Sequence, residues 1–126
     1  MKVLSIKEPF ASLIANNIKH IETRSWKTSY RGEIYIHASL TKEKVDDRIN
    51  KLNSMITPNP GYILCKCILK DCIYMDEKFL EDIKNKEEYI YGRYSLGRYA
   101  WVLEDVEIIT PIKAKGQLGI WNYKKD

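Results

Sequence analysis

No apolar run in this sequence approaches the roughly 20 residues that a membrane-spanning helix requires. The first residues, Met1 to Ile6, go straight into a strand-like run and lack the architecture of a signal peptide. A cytoplasmic protein with no membrane partner is expected. Cysteine is scarce: Cys65, Cys67 and Cys72 all fall in one strand-like segment. An odd number in so short a span argues against a disulfide framework. The spacing also lacks a paired C-x-x-C, and no histidine follows nearby, so no metal site is expected. The thiols read as reduced, packed core residues, and no cofactor is implied. Gly116 and Gly119 are too sparse for a phosphate-cradling loop, and neither a P-loop nor a dinucleotide fingerprint occurs. His37 stands without a serine and aspartate that would complete a hydrolytic triad. There is no internal repeat and no low-complexity linker.

What is there suits one small domain. The 126 residues are 44% hydrophobic and 30% charged, enough to close one core and too apolar for general disorder. The net charge of +4 leans mildly toward anionic partners, although a lysine-rich soluble surface gives the same value.

Val3, Leu4 and Ile6 suggest a short strand. Pro9 suits the first turn of a helix carrying Phe10, Leu13 and Ile14, with a left-handed exit at Asn16-Asn17. Ile34 and Ile36 alternate with polar residues, as in a half-buried strand. Thr41 is placed to cap a second helix through Asn53, with Val45, Ile49 and Leu52 as its apolar stripe. Tyr62 to Tyr74 is the longest strand signal, with Ile63, Cys65, Cys67 and Leu69 on one face. Asp76 is placed to cap a short third helix. Tyr99–Leu103 and Val106–Ile112 read as two strands joined by a tight turn at Glu104-Asp105. The expectation is a single α+β domain over residues 1–126.

The chemistry concentrates between Ile18 and Trp26. In an extended strand, Glu22, Arg24 and Trp26 share one face, so a carboxylate, a guanidinium and an indole stand together. An exposed salt-bridged strand face accounts for the same pattern on the residues alone. Tyr30-Arg31, Arg93-Tyr94, Arg98-Tyr99 and Trp101 again set flat π surfaces beside cations, a combination that stacks bases and holds phosphates. Trp101 and Trp121 also read as core aromatics.

Several blocks then line up with a known family. Leu4-Ser5-Ile6-Lys7-Glu8-Pro9-Phe10-Ala11 resembles the LSI-x-x-P-(W/F)-A opening of ASCH domains. Lys19-x-x-Glu22-x-Arg24 resembles their K-x-x-E-x-R signature, with Asn17 standing near the place of the usual glycine. Tyr30-Arg31-Gly32 and Ile36-His37-Ala38-Ser39 resemble the next block. Gly97–Leu103 and Lys115–Trp121 are similar to its late strand and closing element.

The resemblance implies a PUA-like β-barrel of five to six strands with short covering helices and a cleft lined by the K-x-x-E-x-R strand. It also implies RNA or a nucleoside or nucleotide as partner. The ligand-binding set is then Lys19, Glu22, Arg24, Trp26, Tyr30, Arg31, His37, Ser39, Tyr94 and Arg98. In this reading Lys19 and Arg24 neutralise phosphate, Glu22 accepts from a base or ribose, and Trp26 or Tyr30 stacks. The rival is an enzyme with Lys19 and Glu22 as catalytic residues, either a ribonuclease or a hydrolase of modified nucleosides. One ASCH branch hydrolyses N4-acylated cytidines with a lysine and a threonine three residues later. Lys19 matches that lysine, but Glu22 occupies the threonine's place. A third class, a protein-interaction module, is favoured if the cleft is shallow and apolar.

Overall fold

Val3, Leu4 and Ile6 are buried in the first strand, β1 (Lys2–Glu8), and the chain turns from it directly into helix α1 (Phe10–Ala15). The computed structural model describes residues 1–45, 47–54 and 56–124, and for 52 and 53 only the backbone. Next come β2 (Ile21–Arg24), β3 (Gly32–Lys42), α2 (Asp47–Asn53), β4 (Tyr62–Tyr74) and α3 (Glu77–Ile83). A 3-10 turn (Glu87–Tyr91), β5 (Tyr99–Lys113) and β6 (Ile120–Asn122) complete the chain. The strands form one six-stranded mixed sheet in the order β2-β5-β4-β3-β1-β6, with β1 and β3 parallel and the other pairs antiparallel. Among the described residues no backbone ladder joins the edges β2 and β6, so the sheet is not closed. Among the described residues, no helix is long and apolar enough to cross a membrane.

Leu13 of α1 packs with Ile49 and Tyr91, and the main core lies between the sheet and the buried Ala11, Ile14 and Ala15 of that helix. Ile34, Ile36, Cys65, Cys67 and Leu69 meet them from the strands, as the alternation predicts. Ile63 does not join that cluster. The β4 register shifts between Ile63 and Cys65, and Ile63 packs instead with Val3 and Trp121.

Asn17 leaves α1 with φ 60, and the Asp76 carboxylate accepts from Phe79 N at 2.8 Å; both local expectations hold. Thr41 is not a helix cap. It lies in β3, which runs on because Lys42 pairs with Glu8 and Glu43 N donates to Glu8 O at 2.9 Å. In the expected stripe of α2, Ile49 is buried, whereas the Leu52 side chain lies outside the described residues. Residues 99–113 are one strand, not a hairpin. Asp105 takes a left-handed conformation (φ 54) that bulges the strand, and the parts on either side both pair with β4.

Glu8 shows how this end of the sheet is tied. Its carboxylate is 2% exposed and accepts from Ser12 N (2.8 Å), Ser12 Oγ (2.6 Å) and Asn59 N (2.9 Å). It therefore caps α1 and pins the loop in which Pro58 and Pro60 flank Asn59. Glu8→Ala should cost about 3 kcal/mol in urea unfolding, because hydrogen bonds to a charged acceptor are lost and buried donors are left unpaired. Glu8→Gln, which keeps one acceptor oxygen, should fall between the two.

Candidate functional site

Lys19 enters the interior because the chain doubles back at Asn17: Ile18 N and Lys19 N both donate to Leu13 O, at 2.9 and 3.1 Å. The side chain is 1% exposed, its Nζ donating to Tyr91 O and lying 3.7 Å from Glu22 Oε1 and 5.2 Å from the centre of the Phe10 ring. Desolvation pulls its pKa down from 10.5, opposed by the charges of Glu22 and Glu88. Lys19 thus ties the 3-10 turn to β2 and supports Glu22 from behind.

Glu22 is 8% exposed, and its Oε2 lies 3.0 Å from Arg24 Nη2. The strand alternation does put the two on one face. Arg24 Nη2 also donates to Ser5 O at 2.8 Å, linking β2 to β1 across the open side of the sheet. Its Nε is buried without a hydrogen-bond partner among the described residues.

The segment after the 3-10 turn adds two more guanidinium groups. Arg93 N donates to Thr23 Oγ1 at 3.1 Å, and this close passage requires Gly92, where a Cβ would lie 2.8 Å from Thr23 Cγ2. Arg98 donates from Nε to Arg93 O (3.0 Å) and from Nη2 to Thr23 O (3.3 Å). Burial lowers the pKa of Arg98, and the neighbouring Arg93 charge adds to that. Glu22, Arg24, Arg93 and Arg98 form one wall of a cleft of about 1290 Å³.

The other wall is built from Ser5, His37 and residues 114–119. His37 is 1% exposed, with Nε2 2.7 Å from Ala114 O and Nδ1 3.0 Å from Ser5 Oγ. A carbonyl only accepts, so Nε2 carries the proton and, in the neutral ring, Nδ1 accepts from the serine hydroxyl. Ser5 Oγ in turn accepts from Trp121 Nε1 at 3.0 Å. These bonds tie β1, β3 and β6 to the 114–119 segment.

Of the residues the sequence singles out, Glu22, Arg24, His37, Ser39 and Arg98 line the cleft. Lys19 lies behind the wall. Trp26 meets Trp101 edge-on at 4.7 Å, and Tyr30 turns its hydroxyl to Glu33 O at 2.5 Å. Arg31 donates to Thr28 O and Tyr30 O and faces Asp71 at 3.7 Å. Tyr94 lies nearly parallel to Phe79 and Tyr89, with ring centres 6.2 and 5.7 Å away. Its hydroxyl is buried without a partner among the described residues, and burial drives its pKa upward. Arg93, named from the sequence only as a cation beside Tyr94 and left out of the ligand-binding set, lines the cleft, as do Ser5, Lys113 and Lys115, which sequence reasoning missed. Its place beside Tyr94 was the available signal for Arg93; the closing K-G motif was the signal for Lys115.

Comparison with known proteins identifies the family of the domain. The family model of the ASCH domain matches residues 4–113. The chain is 46% identical over 130 residues to human (Homo sapiens) "Activating signal cointegrator 1", and 26% identical over 130 residues to the mouse (Mus musculus) protein of that name. Each alignment covers 94% of this chain and 21% of the relative, so the chain spans about a fifth of the length of these relatives. With its six-stranded α+β architecture of the PUA-like kind, this chain belongs to the ASCH domain family.

Proposed function

We propose that the cleft binds RNA or a nucleotide-derived ligand, with Arg24, Arg93 and Arg98 facing phosphate and Glu22 accepting from a base amino group. The observation that carries this reading is the fixed Glu22 carboxylate on a wall with three guanidinium groups. A carboxylate beside an anion site needs a donor to recognise, and an exocyclic amino group such as cytosine N4 supplies one. Arginine brings the forked, planar donor set that suits phosphate oxygens. Binding is favoured over hydrolysis because Lys19 is 1% exposed, does not line the cleft and gives its Nζ to Tyr91 O.

Affinity for a short single-stranded RNA should fall steeply with salt. Arg93→Ala should flatten the log–log slope by about 0.7, the value of one phosphate neutralised on a single strand. Glu22→Gln should weaken binding of cytosine-containing oligomers more than uridine-only ones. Fluorescence anisotropy at salt concentrations from about 50 to about 200 mM reads both effects. A salt-independent affinity, or no binding by the folded protein at the lowest salt, overturns the proposal. Incubation with N4-acetylcytidine should release no cytidine; release that is abolished in Glu22→Gln would instead favour the hydrolase.

A further inference from the structure

From the second wall of the cleft we infer a separate subsite for a neighbouring nucleotide, in which Leu118 wedges against the base and Lys113 and Lys115 face the phosphate. The inference rests on the nucleic-acid reading above and deepens it: the ligand is a strand of at least two units.

Leu118 is 99% exposed, yet it does not hang from a loose end. The segment carrying it is fastened on both sides. Ala114 N donates to Gly61 O at 3.1 Å, and Ala114 O accepts from His37 Nε2 at 2.7 Å. Gly116 rests directly on the Ser5–His37 pair, where a Cβ would come within 2.9 Å of His37 Cε1 and 3.0 Å of Ser5 Oγ. Beyond Leu118, Gly119 turns with φ 66 into β6, whose Trp121 is buried and bonded to Ser5. The fold therefore holds a large apolar side chain out over the cleft on an anchored loop. Leu40, 81% exposed, also lines this part of the cleft.

The charge around this apolar tip selects the occupant. Lys113 and Lys115 are exposed, line the cleft, and make no ion pair among the described residues. An apolar protein segment would gain nothing from them. A nucleotide uses both features, because leucine side chains wedge between unstacked bases while lysines hold the linking phosphate. The size of the space agrees. At about 1290 Å³ the cleft exceeds the roughly 300–1,000 Å³ of pockets that enclose one small molecule.

The test compares a mononucleotide with a trinucleotide of the same base, by calorimetry or anisotropy, in the wild type, Leu118→Ala and Lys115→Ala. Leu118 is at the surface, so its truncation leaves the fold intact, and circular dichroism verifies that. In the wild type the trinucleotide should bind at least about tenfold tighter than the mononucleotide. Leu118→Ala should remove about tenfold of trinucleotide affinity and leave mononucleotide affinity and the salt slope unchanged. Lys115→Ala should flatten the trinucleotide slope by about 0.7. Equal affinity for one and three units, or a Leu118→Ala variant that binds the trinucleotide like the wild type, overturns the second subsite while leaving the arginine wall in place. The latter result would point to a protein partner for the apolar tip. No binding of either ligand overturns the nucleic-acid reading itself, and this inference with it.

Discussion

Lys19→Ala should destabilise the protein by about 3–5 kcal/mol, the largest effect expected of any single charge here. Truncation removes the ammonium from a 1%-exposed site, empties the space beside Phe10 and leaves Tyr91 O without its donor. It also leaves Glu22, 8% exposed, with Arg24 as its remaining close cation. Lys19→Met separates these effects. Methionine keeps most of the volume, and Arg24 still pairs with Glu22, so that variant should lose much less than the alanine form. Urea titrations of the three proteins at neutral pH read the difference. An alanine variant within about 1 kcal/mol of the wild type, far below the cost of breaking a buried pair, would show that the buried ammonium does not hold the 3-10 turn to β2.

The second large effect should appear on raising the pH. Cys65 and Cys67 are 0% and 1% exposed, and burial pushes each thiol from an ordinary 9.0 up to about 12. In the folded state the proton therefore stays on through a range in which the unfolded chain releases it. The stability this represents is fully present below about pH 9 and is lost as pH rises toward about 12. At about 1.36 kcal/mol per pH unit, it amounts to about 2–3 kcal/mol per thiol by about pH 11. Tyr91, raised from 10.0 to about 12 by burial and its bond to Glu87, acts in the same direction. Lys19 acts in the opposite one. Its pKa is lowered, so the folded protein sheds that proton first and gains relative stability as pH rises. Two thiols and two phenols, Tyr91 and the buried Tyr94, against one ammonium give a net fall above about pH 9. Denaturant midpoints from about pH 7 to about 11 should be level and then drop, and the drop should be shallower in Cys67→Ala. A midpoint that stays level across that whole range would show that the thiols do not hold their protons in the fold.

Much of this arrangement was legible where the signal was local. Asp76 three residues before Phe79 is a capping pattern, and Asn17 is a residue type that tolerates positive φ. The period-2 alternation put Glu22 and Arg24 on one face because β2 is regular there. What the sequence hid depends on partners far along the chain. Glu104-Asp105 looks like a reversal, and Asp105 does adopt the left-handed conformation a turn would use. Only β4, long enough to pair with both parts, makes it a bulge. Thr41 looks like a cap until Lys42 is seen opposite Glu8.

Lys19 reads as a phosphate ligand in a K-x-x-E-x-R strand, but the carbonyl that claims its proton belongs to Tyr91, 72 residues away. Tyr30 and Tyr94 have polar neighbours in sequence, as a surface stacking residue would. In space Tyr30 packs against the main core, and Tyr94 lies between two other rings. Periodicity gives no warning of such recruitment. The second wall was hidden for a related reason: Ser5 and His37 meet only because β1 and β3 run parallel in that register.

The pairing of β1 with β6 has a mechanical consequence. Tyr123 N donates to Met1 O at 2.9 Å and Met1 N to Tyr123 O at 3.2 Å, so residues 1 and 123 lie side by side at one end of an antiparallel ladder. Tension applied between these two points opens the ladder like a zipper, loading one bonded pair at a time. Shear, which loads every pair together, does not arise. β6 is three residues long, so little force is needed to detach it. As it leaves, Trp121 withdraws its indole N–H from Ser5, and the 114–119 segment loses its downstream anchor. The cleft wall carrying Leu118 is therefore the first part of the molecule that a pull transmitted along the backbone would dismantle. The arginine wall, seated on β2 and the long antiparallel ladder of β4 with β5, outlasts it.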